Sequence, residues 1–409
     1  MSELNIERLI NRIDILGETG KDSNGERTRL AVTDEDKQAR DLLVEWMREE
    51  GLKIRVDRIG NIFGIWQTPE NEGRTPVMTG SHIDTVINAG KYDGCLGVLA
   101  ALEVISTLKA RNFRPKRPVV MAAFTNEEGV RYSPDMMGSL VYAGGMSADE
   151  ALSQIGTDGA VLGDELKRTG YAGEADAPFI RPCAFVELHI EQGPILEAEG
   201  IRIGAVSNLQ GICWERITVE GQSNHAGTTP LAFRRDAGLA AAKINVFLRE
   251  LAAKSGGVAT VGTIAFEPNA VNVIPSKAVF TADLRNPDKE KLSADKQALS
   301  AYLKELEAAD GVKISSEILS GFDPVLFDEG IVLKIEKAAQ KLGLSSRRIT
   351  SGAGQDAQML ARICPSAMIF IPSAGGISHS PDEYSSPQAI EDGAEVLLEV
   401  TADLAGREA

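Results

Sequence analysis

The chain has 409 residues, of which 43 are Lys or Arg and 59 are Asp or Glu, so its formal net charge at pH 7 is -16. Because this charge repels phosphates, we expect neither a nucleic acid nor an anionic membrane as the main partner. The length exceeds what one hydrophobic core usually covers, which predicts two domains.

The N-terminal segment MSELNIERLINRIDILGETG carries charges throughout and lacks the apolar core of a secretory signal. No stretch approaches the length of a membrane span. The four cysteines form no CxxC pair, so the sequence indicates neither a zinc-thiolate site nor a redox dithiol. We therefore expect a cytoplasmic protein with reduced cysteines.

The first part of the chain alternates between helix and strand patterns. Helical periodicity over residues 36–50 ends at Gly51, and strand-like runs follow at 54–66 and 76–80. A further helix is predicted from about Leu96. This alternation predicts an open α/β sheet whose ligands gather at the carboxyl ends of the strands.

Two apolar strands of this part end in polar residues. PVMTGSHIDTV places His82 and Asp84 just past a short strand, and PVVMAAFTNEEG ends at Glu127 and Glu128. We expect these side chains to lie at one edge of the sheet.

From about residue 208 the pattern changes. The elements predicted there are the strand in ICWERITVEG, a helix at 234–254, strands at 258–266 and 278–285, a helix at 288–309 and a strand at 312–320. This order predicts a small α+β domain with helices on one face of a mainly antiparallel sheet. The helix and strand pattern resumes at about residue 328, so we expect a discontinuous larger domain, 1–208 with 327–409, interrupted by a small domain at 209–326.

The chain has four histidines, and all lie in short segments rich in carboxylates, glycine or turn residues: GSHIDT, ELHIEQG, NHAGTTP and GISHSPDE. Neutral imidazole beside Asp and Glu is typical of a divalent transition-metal site. His82 is followed by Asp93, in KYDGCLG, whose two oxygens could bridge ions about 3.5 to 4 Å apart. The alternative is that His82 caps a turn and Asp93 begins a helix.

Glu127 and Glu128 are adjacent carboxylates at the end of an apolar strand. Such a pair is costly unless a metal neutralises one carboxylate and the other handles protons, which would make Glu128 the ligand and Glu127 the base. A solvated acidic turn is the alternative interpretation.

Two further histidines complete a possible ligand set. ELHIEQGP puts His189 and Glu191 on one face of a strand, with Gln192 beside them. His379 follows a glycine-rich loop behind the apolar strand 367–371. Either histidine alone could be structural. The parts of a two-metal hydrolase are nevertheless all present, in His82, Asp93, Glu128, His189 and His379.

At these residues the chain resembles the metal-dependent amidohydrolase and peptidase family that includes N-carbamoyl-L-amino-acid hydrolases, allantoate amidohydrolase and β-ureidopropionase. The resemblance covers nearly the full length. It rests on motifs in family order: GSHIDTV, KYDGCLGVLAALE, FTNEEGVRY, ELHIEQGP, GQSNHAGTTPLAFRRDA, VNVIPSKAVFTADLRNPD, SGAGQDA and ISHSPDEYS.

The resemblance implies an α/β fold: a di-metal exopeptidase-like catalytic domain with a central mixed sheet flanked by helices, and an inserted α+β lid and dimerisation domain. It implies two divalent ions per subunit, with zinc expected first and manganese, cobalt or nickel as alternatives. His82, Asp93 and His189 would hold one ion. Asp93, Glu128 and His379 would hold the other, so that Asp93 bridges the pair.

The catalytic roles also follow from the resemblance. Asp84 would orient His82. Glu127 would take a proton from the attacking water and return it to the leaving nitrogen. The sequence offers no GxSxG elbow and no cysteine next to a histidine, so nucleophilic catalysis has little support.

The small domain would contribute to the substrate pocket. His225 could by its chemistry donate a hydrogen bond to the substrate carbonyl oxygen. By the resemblance, Asn272 and Arg285 would bind the substrate, with Arg285 gripping a carboxylate. Gln192 and the backbone around Gly354 would complete the pocket. Without the resemblance, Arg285 would be interpreted as a surface charge and Asn272 as a turn residue.

Some small-domain residues in the family reach the neighbouring subunit's site, which implies a homodimer joined through this domain. Domain closure would then assemble the pocket. The chain departs from its relatives at GAGQDA, where Gln355 replaces a frequent histidine, and glutamine cannot titrate near neutral pH.

We therefore expect hydrolysis of N-carbamoyl-L-amino acids to amino acid, ammonia and carbon dioxide. Allantoate or β-ureidopropionate hydrolysis is the nearest alternative. An N-acyl amino acid hydrolase or a peptidase, and a non-catalytic metal-binding module, are more distant ones.

Overall fold

The computed structural model describes residues 4–406. Its α-helices, in chain order, are α1 Ile6–Glu18, α2 Asp34–Glu49, α3 Cys95–Ala110, α4 Met137–Tyr142, α5 Ala148–Leu152, α6 Leu162–Thr169, α7 Ile195–Glu199, α8 Ala237–Ser255, α9 Lys289–Asp310, α10 Glu329–Lys341, α11 Asp356–Leu360 and α12 Pro387–Ala405. Short 3-10 helices cover Leu231–Phe233 and Ala374–Gly376. Within this described part of the chain, none of the helices combines the length and apolarity that crossing a membrane requires.

The β-strands of the described residues are β1 Lys53–Val56, β2 Ile62–Trp66, β3 Val77–His82, β4 Val119–Phe124, β5 Ala184–Ile190, β6 Ile203–Leu209, β7 Gly211–Glu220, β8 Val258–Glu267, β9 Lys277–Asn286, β10 Lys313–Phe322, β11 Val325–Leu326, β12 Ser346–Ser351 and β13 Ser366–Ile371. The chain divides into two compact units. The first runs to Ser207 and resumes at Phe327, and the second comprises Asn208–Leu326.

The first unit contains a mixed sheet with the strand order β1-β2-β4-β3-β5-β13-β6, and β12 lies beside β6. The four central strands β4, β3, β5 and β13 run parallel, whereas β2 and β6 are antiparallel to their neighbours β4 and β13. The central strands are buried along their whole length, as expected for apolar runs covered by helices. The predicted α/β sheet is therefore confirmed.

Helix α3 shows how the layers are packed. It is apolar on nearly every side because it packs against β3 and also contacts α1 and α12. Helix α12 reaches the neighbouring strands β5 and β13, and α11 packs on the same two strands and on α4. The carboxyl ends of the parallel strands are thus held by a rigid, buried framework.

The second unit is a four-stranded antiparallel sheet in the order β10-β7-β9-β8. Helices α8 and α9 pack against it. Residues of β7 alternate, with Ile217 and Val219 in the core and Trp214 and Arg216 exposed, which is the pattern of a sheet with one covered face. The predicted α+β unit is therefore confirmed.

The strand predicted at 54–66 is two strands rather than one. The buried carboxylate of Asp57 accepts hydrogen bonds from the N–H groups of Ile59 and Asn61, at 3.2 and 2.9 Å. This local turn reverses the chain between β1 and β2, because an Asp side chain can replace a backbone acceptor in a turn.

Candidate active site

The carboxyl ends of the four parallel strands supply most of the candidate residues. His82 is the last residue of β3, and His189 is the next-to-last residue of β5. Glu127 and Glu128 follow β4, and His379 lies on the loop after β13. Since neighbouring parallel strands end at one edge of a sheet, residues far apart in the sequence meet there.

Asn126 separates the two adjacent glutamates from β4. Its φ of 57° is left-handed, a conformation that Asn adopts more readily than most residues. The turn directs the two carboxylates to different neighbours. Glu127 Oε2 lies 3.4 Å from His82 Nε2, and Glu128 Oε2 lies 3.5 Å from His379 Nε2.

Asp93 lies on the loop that leads into α3, next to Gly94. A Cβ at Gly94 would lie 2.4 Å from His82 Nε2, and its φ is 62°, so only glycine allows this close approach. Asp93 Oδ1 is 3.5 Å from His82 Nε2 and 3.1 Å from His189 Nε2, whereas Oδ2 is 3.4 Å from His379 Nε2. Oδ1 of Asp93 therefore faces His82 and His189, and Oδ2 faces His379.

The two histidines on strands are held by backbone carbonyls. Nδ1 of His82 lies 3.0 Å from the carbonyl oxygen of Asp84, and Nδ1 of His189 lies 2.9 Å from that of Ile190. A carbonyl oxygen accepts only, so each Nδ1 carries a proton, and in the neutral ring each Nε2 has its lone pair available to a ligand.

The donor atoms suit a divalent metal. The ligand atoms of His82, Asp93 and His189 lie within 4.8 Å of one another, as do those of Asp93, Glu128 and His379. Nε2 of His82 is buried and has no hydrogen-bond partner among the described residues, which is costly unless another species binds there. These residues therefore fit one or two transition-metal ions.

Asp84 holds the turn that carries the glutamates. Its carboxylate accepts hydrogen bonds from the peptide N–H groups of Glu127 and Glu128, at 3.2 and 3.3 Å, whereas it lies 3.9 Å from His82 Nδ1. The hydrogen-bond partner of His82 Nδ1 is thus the backbone carbonyl of Asp84, while the Asp84 carboxylate lies farther from the ring.

Burial raises the pKa of Glu127 well above its usual range, and the charges of Asp356 and Glu128 raise it further against the opposing effect of His82. A carboxylate with a raised pKa is a stronger base than an exposed one. Glu127 thus holds a proton more strongly than an exposed glutamate does.

The charges around Asp93 keep it ionised. Although burial opposes ionisation, His189, His379 and His82 hold the pKa of Asp93 well below its usual range. The hydrogen bond to Asp93 raises the pKa of His379 to about 9. Burial, together with the Asp93 charge, raises the pKa of Glu128 to about 8. This buried surplus of carboxylates favours the binding of cations.

A cavity of about 140 Å³ opens onto these residues. Its lining consists of Asp93, Glu127, Glu128, Asp135, Gln192, Ala353, Gly354, Gln355 and His379. Gln355 Nε2 donates to Gln192 Oε1 at 2.8 Å, and Gln192 Nε2 donates to Asp93 Oδ2 at 2.8 Å. Gln355 therefore orients the amide of Gln192 without titrating.

Two buried acids beside the site were missed by the sequence analysis. Glu187 accepts hydrogen bonds from Ser81 Oγ at 2.6 Å and from the N–H of Ala357 at 2.8 Å. Burial, reinforced by the charge of Glu187, raises the pKa of Asp356 to about 8. Glu187 could have been found from its period-two spacing to His189 on one strand, whereas the position of Asp356 depends on the tertiary fold.

The prediction that Glu191 shares a strand face with His189 is wrong. Strand β5 ends at Ile190, and the Glu191 carboxylate accepts hydrogen bonds from the N–H groups of Ile195 and Leu196, at 2.9 and 2.8 Å. The start of α7 captures this side chain because unpaired N–H groups at a helix N-terminus attract a carboxylate.

In the second unit, His225 and Asn272 lie on adjacent loops. The N–H of Ala226 donates to the carbonyl oxygen of Asn272 at 3.0 Å, and His225 pairs with Val273 in an antiparallel bridge. Both candidate side chains are exposed.

The ring of His225 is oriented by its own loop. Its Nδ1 accepts hydrogen bonds from the N–H groups of Gly227 and Thr228, at 3.0 and 3.1 Å. In the neutral ring the proton is then on Nε2. His225 therefore presents a hydrogen-bond donor to the solvent.

Arg285 lies near the end of β9 and forms an ion pair within its own strand. Its Nε donates to Asp283 Oδ1 at 3.0 Å and its Nη2 donates to Asp283 Oδ2 at 2.8 Å. A substrate carboxylate would have to share the guanidinium with Asp283.

The second unit places these candidate residues at two ends of its sheet. Strand β7 ends at Glu220, which pairs with Lys277 at the start of β9. The loops of His225 and Asn272 lie at this end of the sheet. Arg285 is near the other end of β9, so at about 3.4 Å per residue it lies about 27 Å from Lys277, where the strand begins next to those loops. Within one chain, these groups do not converge.

Comparisons with known proteins agree with this architecture. The family described as peptidase family M20/M25/M40 matches residues 78–403. The N-carbamoyl-L-amino-acid amidohydrolase of Rhizobium meliloti is 38% identical over 404 residues, covering 98% of this chain and 97% of that protein. The ureidoglycolate hydrolase of Arabidopsis thaliana is 37% identical over 409 residues, covering 97% of this chain and 86% of that protein. An amidase of the hydantoinase/carbamoylase family from Burkholderia multivorans has a crystal structure that matches with a TM-score of 0.97 at 39% identity, covering 100% of this chain and 99% of that one.

Proposed function

The chain belongs to the peptidase family M20/M25/M40, a family of metal-dependent hydrolases, and from this premise we propose that it is a two-metal N-carbamoyl-L-amino-acid amidohydrolase. It would hydrolyse the carbamoyl C–N bond and release the amino acid, ammonia and carbon dioxide. The observation that carries the proposal is Asp93, whose two carboxylate oxygens face two different sets of ligand atoms.

Each ion has three proposed ligands. His82, Asp93 and His189 would hold one ion, and Asp93, Glu128 and His379 the other. Zinc is expected first because imidazole nitrogens and carboxylate oxygens suit it, with manganese, cobalt or nickel as alternatives. Bound there, the ions would polarise the ureido carbonyl and lower the pKa of water.

Glu127 is the proposed general base. It lines the cavity but belongs to neither set of ligand atoms. As water adds to the carbamoyl carbon, Glu127 takes a proton from that water. It then gives the proton to the leaving nitrogen as the C–N bond breaks, which needs no covalent intermediate with the protein.

The proposed substrate contacts follow from the hydrogen-bonding capacity of each group. Nε2–H of His225 would donate to the carbonyl oxygen, where negative charge develops, and Asn272 would act beside it. Arg285 would bind the substrate carboxylate through its planar guanidinium. Gln192 and the backbone of Gly354 would complete the cavity wall.

The positions of Arg285 and the His225 loop support a site shared between two copies of the chain. An N-carbamoyl amino acid is far shorter than the length of about 27 Å, estimated from the rise per residue of a strand, that separates Arg285 from the end of β9 next to the His225 loop. We propose that one protomer supplies Arg285 and its partner supplies His225 and Asn272. The enzyme would then be an obligate homodimer.

The second unit offers a surface for this dimer. Strand β8 is at the edge of its sheet, and an edge strand has unpaired backbone groups that can pair with a second copy. Val258 and Ile264 on β8 and Leu239 and Val246 on α8 are exposed apolar side chains. Burying them between two copies would remove apolar surface from water.

The test is an assay of ammonia release, with metal-free protein reconstituted separately with zinc, manganese and cobalt. We expect ammonia from N-carbamoyl-L-amino acids at a higher kcat/KM than from allantoate, β-ureidopropionate or ureidoglycolate. If none of the N-carbamoyl amino acids releases ammonia with any metal, the proposal is wrong.

The same preparations separate the more distant functions. N-acetyl amino acids and dipeptides contain an amide but no ureido group, so their hydrolysis at a higher kcat/KM than the carbamoyl compounds would identify an acylase or a peptidase. Metal binding with no turnover of any substrate would indicate a binding module.

A further inference from the structure

Glu383 is a buried carboxylate between two loops of the candidate metal centre. Its Oε1 accepts hydrogen bonds from the peptide N–H groups of Tyr92 and Asp93, at 2.9 and 3.1 Å. Its Oε2 accepts a hydrogen bond from Ser378 Oγ at 3.0 Å. All three partners can donate here, so both oxygens of the Glu383 carboxylate accept hydrogen bonds.

The loop before Asp93 is shaped to receive this side chain. A Cβ at Gly90 would lie 2.2 Å from Oε1 and 2.5 Å from Cβ of Glu383, so a larger residue would displace this side chain. Glycine at this position lets the loop close over the carboxylate. The Asp93 loop and the Glu383 side chain are therefore closely packed, although they are about 290 positions apart in the sequence.

Ser378 links the same carboxylate to the proposed bridging ligand. Its hydroxyl oxygen is 3.0 Å from Glu383 Oε2 and 3.1 Å from Asp93 Oδ2. A hydroxyl has one hydrogen to donate, so it serves only one of the two acceptors at a time. By accepting that hydrogen, Glu383 spares Asp93 Oδ2 a second hydrogen bond besides the one from Gln192 Nε2.

We infer that Glu383 is a positioning residue: it fastens the Asp93 loop to the His379 loop and keeps the hydroxyl hydrogen of Ser378 away from Asp93. The inference rests on the proposed two-metal function and adds a residue that acts through the ligands. Groups that orient metal ligands typically contribute about 10- to 100-fold to metal affinity.

Two substitutions separate this role from simple packing. In Glu383→Gln, the amide oxygen can still accept both peptide N–H groups, but the amide nitrogen faces Ser378 and turns its hydroxyl toward Asp93. In this variant we expect zinc to bind about 10-fold more weakly to at least one site. In Glu383→Ala, which also releases the loop, we expect the loss of zinc affinity to approach about 100-fold. The matched control is Asp382→Asn, an exposed acid on the same loop.

The measurement is a zinc titration of the metal-free proteins in competition with a chromophoric chelator, together with their thermal unfolding midpoints. We expect Glu383→Gln to lose affinity while its metal-free midpoint and the Asp382→Asn affinity equal those of the unmodified protein. Unchanged zinc affinity in Glu383→Gln would overturn the inference even if Glu383→Ala does not fold. A loss matched by a lowered metal-free midpoint would overturn it as well, because it would indicate packing alone. The same titration is run with manganese and cobalt, and if the unmodified protein binds none of the three metals, the proposed function itself fails.

Discussion

The carboxylate of Asp84 accepts a hydrogen bond of 3.2 Å from the peptide N–H of Glu127. It also accepts one from Glu128, so a single acid fixes the turn that carries both glutamates. The ring of His82 is held separately, by the Asp84 carbonyl oxygen. The side chain of Asp84 therefore acts on the proposed base and on one ligand of the second ion.

Asp84→Asn should weaken this turn, because an amide has one oxygen to accept hydrogen bonds and its nitrogen would face the other N–H group. We expect kcat and the affinity for the ion at Glu128 each to fall about 10- to 100-fold. The occupancy of the His82 site should be retained, as a zinc titration would measure. Loss of the His82 site alone would show that Asp84 acts on the histidine instead.

Glu127→Gln should lower kcat by about 10²- to 10⁴-fold, the usual contribution of a general base. Both ions should still bind, because Glu127 belongs to neither ligand set. The adjacent Glu128→Gln is the matched variant, and we expect it to lose one equivalent of metal. Turnover and metal content measured on the same preparations decide the assignment. Undiminished turnover in Glu127→Gln would remove it from the role of base.

His225→Ala should keep its metals and lose about 10²- to 10³-fold in kcat, as does removal of an oxyanion donor. Arg285→Ala should mainly raise KM for substrates with a carboxylate. If the two residues act from different protomers, co-expression of the two variants should restore activity, because one site of each hybrid dimer is intact. About a quarter of the unmodified activity is expected from random pairing in a two-fold dimer.

Each variant expressed alone is the control for that experiment. The co-expressed samples must be dimeric by sedimentation and must contain both variants. If activity is not restored in such samples, His225 and Arg285 act within one chain. Loss of metal from His225→Ala would contradict its assignment to the substrate.

Acid should weaken the fold through Glu165 in a defined range. The hydrogen bond from Arg168 lowers the pKa of Glu165 to about 2, with Arg131 contributing and burial opposing. A carboxylate whose pKa is lower in the folded state stabilises the protein above its ordinary pKa, here 4.5. That stabilisation is lost as the pH falls from about 4.5 to about 2.

The measurement is the free energy of unfolding by denaturant at pH 6 and at pH 3, for the unmodified protein and for Glu165→Gln. The difference in the free energy of unfolding between the unmodified protein and Glu165→Gln should be smaller at pH 3 than at pH 6. It should stay near or below about 1 kcal/mol, because the ion pairs of this side chain are open to solvent screening. Glu150→Gln, an exposed acid on α5, serves as the control. A difference that is equal at both pH values would contradict the assignment.

The sequence predicts the framework of the site because the relevant signals are local. Apolar runs that end in His82, Glu127 and His189 mark strand ends, and neighbouring parallel strands then bring those ends together. The α/β sheet and the α+β unit are both confirmed. The assignment of ligands and base stays a prediction.

The remaining features depend on contacts that no local pattern contains. Glu383 binds the Asp93 loop across about 290 residues, and a single sequence gives no signal for such a pair. The prediction for Glu191 is wrong because strand alternation stops at Ile190. The start of the following helix captures the Glu191 carboxylate. By contrast, the pairing of Arg285 with Asp283 could have been predicted, since residues two apart share a strand face.

The position of β13 between β5 and β6 has a consequence for the order in which the protein is made. During synthesis the ribosome releases β5 and β6 early, yet the strand that separates them emerges only after the whole second unit. The sheet of the nascent chain is therefore incomplete, and His379 is still absent. Only a polypeptide synthesised past His379 can assemble the second set of ligands, so loading of that second site would report that translation has passed β13.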